Sequence, residues 1–189
     1  MVMSNILFRD ESSVPLREYK GDELTDYRMY KPQLRRDFKK KCGYTNCLDD
    51  WFGGTTTFQI DHFLPQSKYP KLKTKYSNLI YCCSYVNRAK SNDEGNYLDP
   101  CDEDYNEHFY RNGKGEIIPV TASTKAVYMH QRLKLYLKRY SIIWILEQLE
   151  QKMEALKELI EKTDNDKAKE LFIQITMKYM DYKKYLRAQ

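Results

Sequence analysis

The stretch FQIDHFLPQS, residues 58–67, is an apolar run that ends on an acid and a histidine and then turns through a proline. Its aromatic and β-branched residues follow the Gly53-Gly54 pair, and they predict a strand over about residues 56–61. The chain has only three histidines. Asp61 and His62, side by side where this strand ends, are therefore the first candidates for chemistry.

The sequence around this stretch predicts a strand–loop–strand–helix unit. YSNLIYCC, residues 76–83, reads as a second strand. SYVNRAKSN, residues 84–92, contains no Gly or Pro and is expected to open a short helix. In such a unit Asn78 enters the second strand beside His62, and Asn87 lies on the helix packed over the two strands. The four polar residues can then converge on one ββα-metal site.

The residue types at this site suit hydrolysis of a phosphodiester. A neutral imidazole near pH 7 can take a proton from water, which assigns His62 as general base. The Asp61 carboxylate and the Asn87 amide oxygen are hard donors that suit Mg²⁺, with Mn²⁺ as a substitute, and they leave room for waters and phosphate. Asn78 is expected to orient the loop that carries His62.

The segments FQIDHFLPQS, YSNLIYCC and VNRAKSN together resemble the HNH endonuclease family, over about residues 42–91. The resemblance implies His62 as general base, Asp61 and Asn87 as metal ligands, and Asn78 as the structural middle residue. The third position of the family motif is often histidine, and here it is Asn87.

Flanking segments are similar to a bacterial branch of this family. They are LRRDFKKKCGYT, YLDPCDEDYNEHFYRNGKGEIIPVT and LKLYLKRYSIIW. That branch includes the nuclease subunit of Septu-type anti-phage systems, which works with an ABC-like ATPase. The resemblance implies a role in antiviral defence and an ATPase partner. The expected substrate is double-stranded DNA.

The cysteines depart from the pattern of many relatives, which bind a structural zinc through two Cys-x-x-Cys pairs. Cys42 and Cys83 stand at the first positions, but Thr45 and Val86 replace the second cysteines. Two thiolates rarely make a closed zinc site, and the spacing of Cys47 and Cys82 suits that task poorly. A bound structural zinc is therefore not expected, and Cys42 and Cys83 are read as vestigial.

Charge is sorted along the chain. Residues 62–92 contain six Lys or Arg and no acid, whereas residues 93–107 contain seven acids and no Lys or Arg. One interpretation is a pair of solvated loops. The other is that the first stretch faces phosphate, through Lys90, which lies one helical turn from Asn87, and also through Arg88 and Lys68. The formal net charge of +5 is compatible with a nucleic-acid partner.

Three regions are expected from the pattern: an N-terminal arm over residues 1–30, a nuclease domain over 31–120 and helices over 121–189. Residues 121–162 lack Gly and Pro and predict one long helix capped by Thr121 or Ser123. At about 60 Å it would outreach the nuclease domain. A second helix of about half that length follows, so assembly is expected here, as a homodimer or with the ATPase. The alternative is that the nuclease domain alone covers the apolar side of the long helix, which carries Ile142, Ile145, Leu149, Met153, Leu156 and Ile160.

Neither a signal peptide nor a membrane span is evident, and the cysteines do not suggest a disulfide framework, so a cytoplasmic protein without a membrane partner is expected. The predicted class is α+β, with a ββα-metal core, an N-terminal helical arm and a C-terminal helical hairpin. The predicted function is a metal-dependent endonuclease. A non-catalytic nucleic-acid-binding or assembly module on a relic HNH fold is the alternative, and a secreted toxin nuclease is disfavoured.

Overall fold

The structure, a computed structural model, describes residues 5–188, which fall into two compact units. Residues 5–113 with 117–136 form the first unit, and residues 114–116 with 137–188 form the second. The predicted α+β class and the C-terminal helical hairpin are confirmed. Within residues 5–188 no helix combines the length and apolarity that crossing a membrane requires.

The α-helices and β-strands of the described chain are labelled in sequence order. They are β1 (Ile6–Leu7), α1 (Lys31–Asp37), β2 (Phe58–His62), β3 (Leu79–Cys83), α2 (Ser84–Lys90), α3 (Tyr105–His108), β4 (Phe109–Arg111), β5 (Ile117–Pro119), α4 (Thr124–Arg132), α5 (Lys138–Thr163) and α6 (Asp166–Arg187). Short 3₁₀ turns, among them Tyr27–Tyr30 and Tyr76–Asn78, lie between some of them.

The predicted order of strand, loop, strand and helix is observed over residues 58–90. β2 and β3 pair antiparallel, and His62, the last residue of β2, lies opposite Leu79. Every residue of β3 is buried, as expected for a strand covered on both faces. α2 follows β3 without a loop and packs on both strands. The helix ends at Ser91, whose φ of 53° leaves the helical region.

A second small sheet has the strand order β1-β4-β5, and all of its pairs are antiparallel. β4 and β5 form a hairpin around the turn-forming segment NGKG, residues 112–115. Gly115, in that turn, has a φ of +73°, and a side chain there would also collide with Trp144. Glycine thus suits both the conformation and the space.

The N-terminal segment is an integral part of the first unit. The Arg9 side chain is buried, with its guanidinium donating to the carbonyl oxygens of Pro100 at 3.2 Å and Gly43 at 2.9 Å. Tyr30 is also buried, and its hydroxyl accepts the N–H of Leu24 at 2.7 Å. The bonds of Arg9 hold the N-terminal segment on residues 31–120, whereas the bond between Leu24 and Tyr30 lies within the segment.

The prediction of one long helix from Thr121 or Ser123 is wrong. α4 and α5 are separate helices, joined by residues 133–137. Lys134 in this connection has a φ of 54°, a left-handed conformation that interrupts the helix and costs an L-residue roughly 1–2 kcal/mol. The predicted cap at Ser123 is observed, since its hydroxyl accepts the N–H of Ala126 at 3.3 Å.

The second unit contains the hairpin of α5 and α6. α5 has 26 residues and spans about 39 Å at 1.5 Å per residue, well short of the expected length. α6 has 22 residues, close to the length expected for the second helix, but it is nearly as long as α5 because α5 is shorter than expected. The hydroxyl of Tyr179 donates to Glu150 at 2.8 Å between the two helices.

Large apolar side chains stay exposed on α6, namely Leu171, Ile173, Met177, Met180 and Tyr185. The assembly role of these helices stays a prediction.

A carboxylate that follows α2 fastens α4 within the first unit. Asp93 accepts hydrogen bonds from the hydroxyls of Tyr97, at 2.6 Å, and Tyr128, and from Nε of Arg132 at 3.2 Å. Burial alone would raise the pKa of Asp93, but these three donors outweigh it and lower the pKa to about 2. Because the folded pKa lies below the ordinary value, Asp93 contributes stability above about pH 4 that is lost as the pH falls through about 2.

We expect Asp93→Asn to lower the free energy of unfolding by about 1–2 kcal/mol near pH 7, because three donors lose a charged acceptor. Urea titrations followed by circular dichroism measure the loss, which should shrink near pH 3. The control Asp102→Asn removes the same charge from a side chain that is 74% exposed, and less than about 0.5 kcal/mol is expected for it. Equal losses in the two variants would contradict the role of Asp93.

Candidate active site

An open cleft of about 380 Å³ in the first unit is lined by the predicted base and the predicted metal ligands. Asp61 and His62 reach it from the end of β2, and Asn87 reaches it from α2. Pairing of β2 with β3, and the helix that follows β3 directly, bring these distant positions together. The structure thus assembles the three residues, and their chemical roles stay predictions.

The ring of His62 is held in one orientation. Its Nε2 lies 2.9 Å from the carbonyl oxygen of Lys73. Because a carbonyl only accepts, Nε2 carries the proton of the neutral ring and Nδ1 keeps the lone pair. Burial lowers the pKa of His62, the Lys73 carbonyl opposes this effect, and the charge of Lys90 adds to it. The edge of Tyr27 packs against the ring, with centroids 4.6 Å apart. The result is a neutral imidazole with a defined acceptor near neutral pH.

Asn78 fastens the loop that supplies the Lys73 carbonyl. Its Oδ1 accepts the N–H of Leu64 at 2.8 Å, and its Nδ2 donates to the carbonyl oxygens of Leu64 at 3.0 Å and Leu72 at 3.3 Å. The side chain is buried and lies in the turn directly before β3 rather than inside the strand. Asn78 therefore ties the chain just after His62 to the chain just before Lys73, which is what an orienting residue does.

The carboxylate of Asp61 is buried and bonded at both oxygens. The hydroxyl of Tyr44 donates to Oδ2 at 2.7 Å, and Nζ of Lys90 donates to Oδ1 at 3.1 Å. Nζ of Lys90 also donates to the carbonyl oxygen of His62 at 2.7 Å. Burial raises the pKa of Asp61, while Lys90 and Tyr44 act in the opposite direction. The two donors therefore stabilise the charged carboxylate in surroundings that disfavour charge.

Lys90 does not make the phosphate contact that its sequence position predicted. It lies one helical turn after Asn87 as expected, but its side chain is 0% exposed. A buried ammonium without partners would cost several kcal/mol, so it must be bonded inside the protein. Its bonds to Asp61 and to the His62 carbonyl satisfy that need, and they join the end of α2 to the end of β2. The prediction for Lys90 is therefore wrong.

The other two predicted phosphate contacts differ from each other in position. Arg88 lines the cleft, with its guanidinium 5.3 Å from the ring centre of Tyr85. Lys68 is exposed, pairs with Glu94 at 2.9 Å and does not line the cleft. Both remain candidates for nucleic-acid binding, and Arg88 lies nearer to the chemistry.

Asn87 is held through one end of its amide. Its Nδ2 donates to Oε1 of Gln59 at 2.7 Å, and within residues 5–188 its Oδ1 has no hydrogen-bond donor. Gln59 and Asp61 are two positions apart on β2 and so share one face of the strand. Asn87 and Lys90 likewise lie on one face of α2, where Asn87 bonds Gln59 and Lys90 bonds Asp61.

These residues fit a hard divalent cation that is held mainly by water and substrate. Asp61 and Asn87 offer oxygen donors to the same cleft, and each bonded oxygen of the carboxylate retains a further lone pair. Mg²⁺ commonly uses one or two protein ligands in this way. Within the described chain no cluster of three or more His, Cys, Asp or Glu could hold a metal. The positive charge of Lys90 beside Asp61 is expected to weaken the affinity.

Cys42 and Cys83 form part of the buried core. Both are buried, and their Sγ atoms lie 3.9 Å apart. Thr45 and Val86 are buried as well. A tetrahedral zinc site needs four ligands, and residues 5–188 present no such group. These side chains do not fit a structural zinc.

Sequence reasoning missed Tyr27, Tyr44 and Gln59. Each contacts a predicted residue: Tyr27 the ring of His62, Tyr44 the carboxylate of Asp61 and Gln59 the amide of Asn87. The two tyrosines are single members of a set of 17 and come from outside the strand–loop–strand–helix unit. For Gln59 a signal was available, since strand alternation puts it on the same face as Asp61.

Comparison with known proteins gave no match, whether with protein-family models, curated proteins or solved structures.

We expect Tyr44→Phe to destabilise the protein by about 1–3 kcal/mol, because the buried Asp61 carboxylate loses a donor and no water can replace it without repacking. Urea unfolding followed by tryptophan fluorescence measures the change. Tyr136→Phe is the matched control, since Tyr136 is 51% exposed, and it should leave the midpoint nearly unchanged. Wild-type stability of the Tyr44 variant would show that the hydroxyl does not support the carboxylate.

Proposed function

We propose that this protein is an HNH-type endonuclease that hydrolyses phosphodiester bonds, in double-stranded DNA, with the help of Mg²⁺. One observation carries the proposal. His62 is a neutral ring fixed through Nε2 on the Lys73 carbonyl, in a cleft that is also lined by the oxygen donors Asp61 and Asn87. Hydrolysis of a phosphodiester needs a base for the attacking water and a group that neutralises charge on the phosphate. The HNH-like motif supports the same assignment.

His62 is the group that takes the proton of the attacking water. Nδ1 accepts that proton, and the Nε2–H of the resulting imidazolium keeps its hydrogen bond to the Lys73 carbonyl, which stabilises the positive ring. Tyr27 packed on one side and the loop tied by Asn78 limit the movement of the ring. The lowered pKa of His62 keeps the ring unprotonated before the reaction at neutral pH.

Asp61 and Asn87 are the residues that would hold the cation, Mg²⁺ or Mn²⁺. When bound, such an ion neutralises charge on the phosphoryl oxygen and on the leaving oxygen. Tyr44 and Lys90 keep the Asp61 carboxylate in place. Gln59 holds Nδ2 of Asn87, so that the amide oxygen is the end left for a ligand.

A non-catalytic nucleic-acid-binding module on the same fold is the second candidate. The ion pair of Lys90 with Asp61, at 3.1 Å, favours it, because an internal counter-ion weakens the attraction of the carboxylate for a metal. Plasmid DNA incubated with the purified protein, with and without Mg²⁺, separates the two candidates. Nicking or linearisation that requires Mg²⁺ supports the nuclease, whereas binding of DNA without cleavage supports the module.

We propose a role in antiviral defence on the resemblance of the flanking segments alone. It implies an ABC-like ATPase as partner, and α5 and α6 are the region assigned to assembly, with that partner or with a second copy of the chain. Co-expression with an ATPase encoded beside this gene, followed by co-purification and phage plating, tests the role.

The first prediction about activity concerns His62. His62→Ala should lower the cleavage rate by about 10²–10⁴, the usual contribution of a general base, while circular dichroism shows a folded protein. His108→Ala is the matched control, because that imidazole bonds Ser123 at 2.8 Å and does not line the cleft. Cleavage at the wild-type rate by a folded His62→Ala protein would exclude His62 as the base.

The second prediction about activity concerns the cation. Asn87→Ala should raise the Mg²⁺ concentration for half-maximal cleavage by on the order of tenfold or more, because a site with few protein ligands has none to spare. Asn92→Ala is the control, since Asn92 lines the same cleft and has no assigned metal contact. Full activity in excess EDTA would refute the metal requirement.

A further inference from the structure

A second concavity adjoins the cleft and continues it. It encloses about 410 Å³ and shares Tyr27, Ile60 and Asn87 with the cleft. The second concavity therefore extends the cleft, and His62 lines the cleft only. The cleft and this extension together have room for a longer ligand than the cleft alone.

The extension is cationic. Arg28 and Lys31 line it, and its lining contains no acidic side chain. Lys31 is half-buried, and no hydrogen bond or ion pair of its ammonium occurs among residues 5–188. Arg28 is 73% exposed and lies 3.6 Å from Asp26, which is 47% exposed. A surface pair of this kind contributes little and is easily exchanged for another anion.

The turn that precedes Lys31 and contains Arg28 is held by several contacts. Asp26 caps the turn Tyr27–Tyr30 by accepting the N–H of Arg28 at 2.9 Å. The guanidinium of Arg28 lies 4.9 Å from the ring centre of Tyr27, whose edge packs on His62. The same N-terminal segment also contacts the loop of His62 at its surface, where Glu23 accepts a hydrogen bond from Thr74 at 2.5 Å and pairs with Lys75. Through Tyr27, Arg28 lies next to the proposed base.

The cations that line the two concavities suit one ligand class. Arg28 and Lys31 line the extension, and Arg88 lines the cleft together with His62. A polyanion that occupies both concavities would meet cations in each of them. A positively charged groove that follows the backbone is how proteins bind nucleic-acid strands without reading their sequence.

We propose that Arg28 and Lys31 form a substrate subsite that binds the phosphate backbone of a DNA strand next to the scissile bond. Tyr27 forms the wall that this subsite shares with the cleft. The proposal rests on the proposed nuclease function and deepens it, because it assigns to the N-terminal segment a part of the substrate path that the motif does not contain.

Binding without cleavage tests the subsite. The full-length wild-type chain and the double variant Arg28→Gln/Lys31→Gln are titrated into a fluorescein-labelled DNA duplex in EDTA, and anisotropy gives the Kd at several NaCl concentrations. Two lost phosphate contacts should weaken binding by about tenfold near 0.1 M NaCl. They should also reduce the slope of log K against log[NaCl] by about 2.

The double variant Lys178→Gln/Arg187→Gln is the matched control, since it removes the same two charges from exposed positions of the second unit. We expect it to keep the wild-type slope. If the Arg28/Lys31 variant binds DNA with the same Kd and slope as this control, the subsite is refuted and the proposed nuclease function stands. If the wild-type chain binds no DNA even at low salt, the proposed function fails and the subsite fails with it.

Discussion

A fully buried lysine constrains the whole site. The ammonium of Lys90 has no access to water, so it must find anionic or carbonyl partners within the fold. It finds the carboxylate of Asp61 and the carbonyl oxygen of His62, both at the end of β2. This bond fixes the rotation and the height of α2 over the hairpin, and Asn87, one turn earlier, is thereby placed above Gln59. Removal of the Lys90 ammonium or of the Asp61 carboxylate alone would leave an uncompensated charge in the core.

The same ion pair sets the electrostatic character of the cleft. Burial raises the pKa of Asp61, and Lys90 and Tyr44 oppose this effect by bonding the carboxylate, yet Lys90 also reduces the negative potential that attracts a cation. A metal bound here would thus rely on substrate phosphate for part of its coordination, which couples its binding to that of the substrate. His62 experiences the same positive charge, which favours its neutral form.

Several of the strands and helices could be predicted from the sequence, because they follow from the pattern of apolar residues and from the placement of Gly and Pro. The aromatic and β-branched residues before Asp61 and the breaker-free segment after Cys83 each led to an observed element. The spacing of three between Asn87 and Lys90 correctly put both on one face of α2. It could not tell what that face meets, so a lysine in a cationic stretch was read as exposed.

Other features were beyond sequence reasoning because they depend on long-range packing. Residues 121–162 contain no helix breaker, and the chain nevertheless leaves the helix at Lys134, where φ is 54°. Tyr44 and Tyr27 reach the site from segments whose own patterns say nothing about His62 or Asp61. The sorted charges are partly used for internal pairs, such as Lys68 with Glu94 and Asp93 with Arg132.

The anchoring of Arg9 has a consequence for how this fold can be taken apart. Its guanidinium stacks 4.2 Å from the ring centre of Tyr105 and bonds carbonyl groups of Gly43 and Pro100, which lie on both sides of the β2–β3–α2 unit in the sequence. A fragment chosen by the motif alone would start after this arginine and would leave those carbonyls without their donor. The β2–β3–α2 unit therefore cannot be transferred to another protein by itself. A chimera that contains this unit must also include the N-terminal segment.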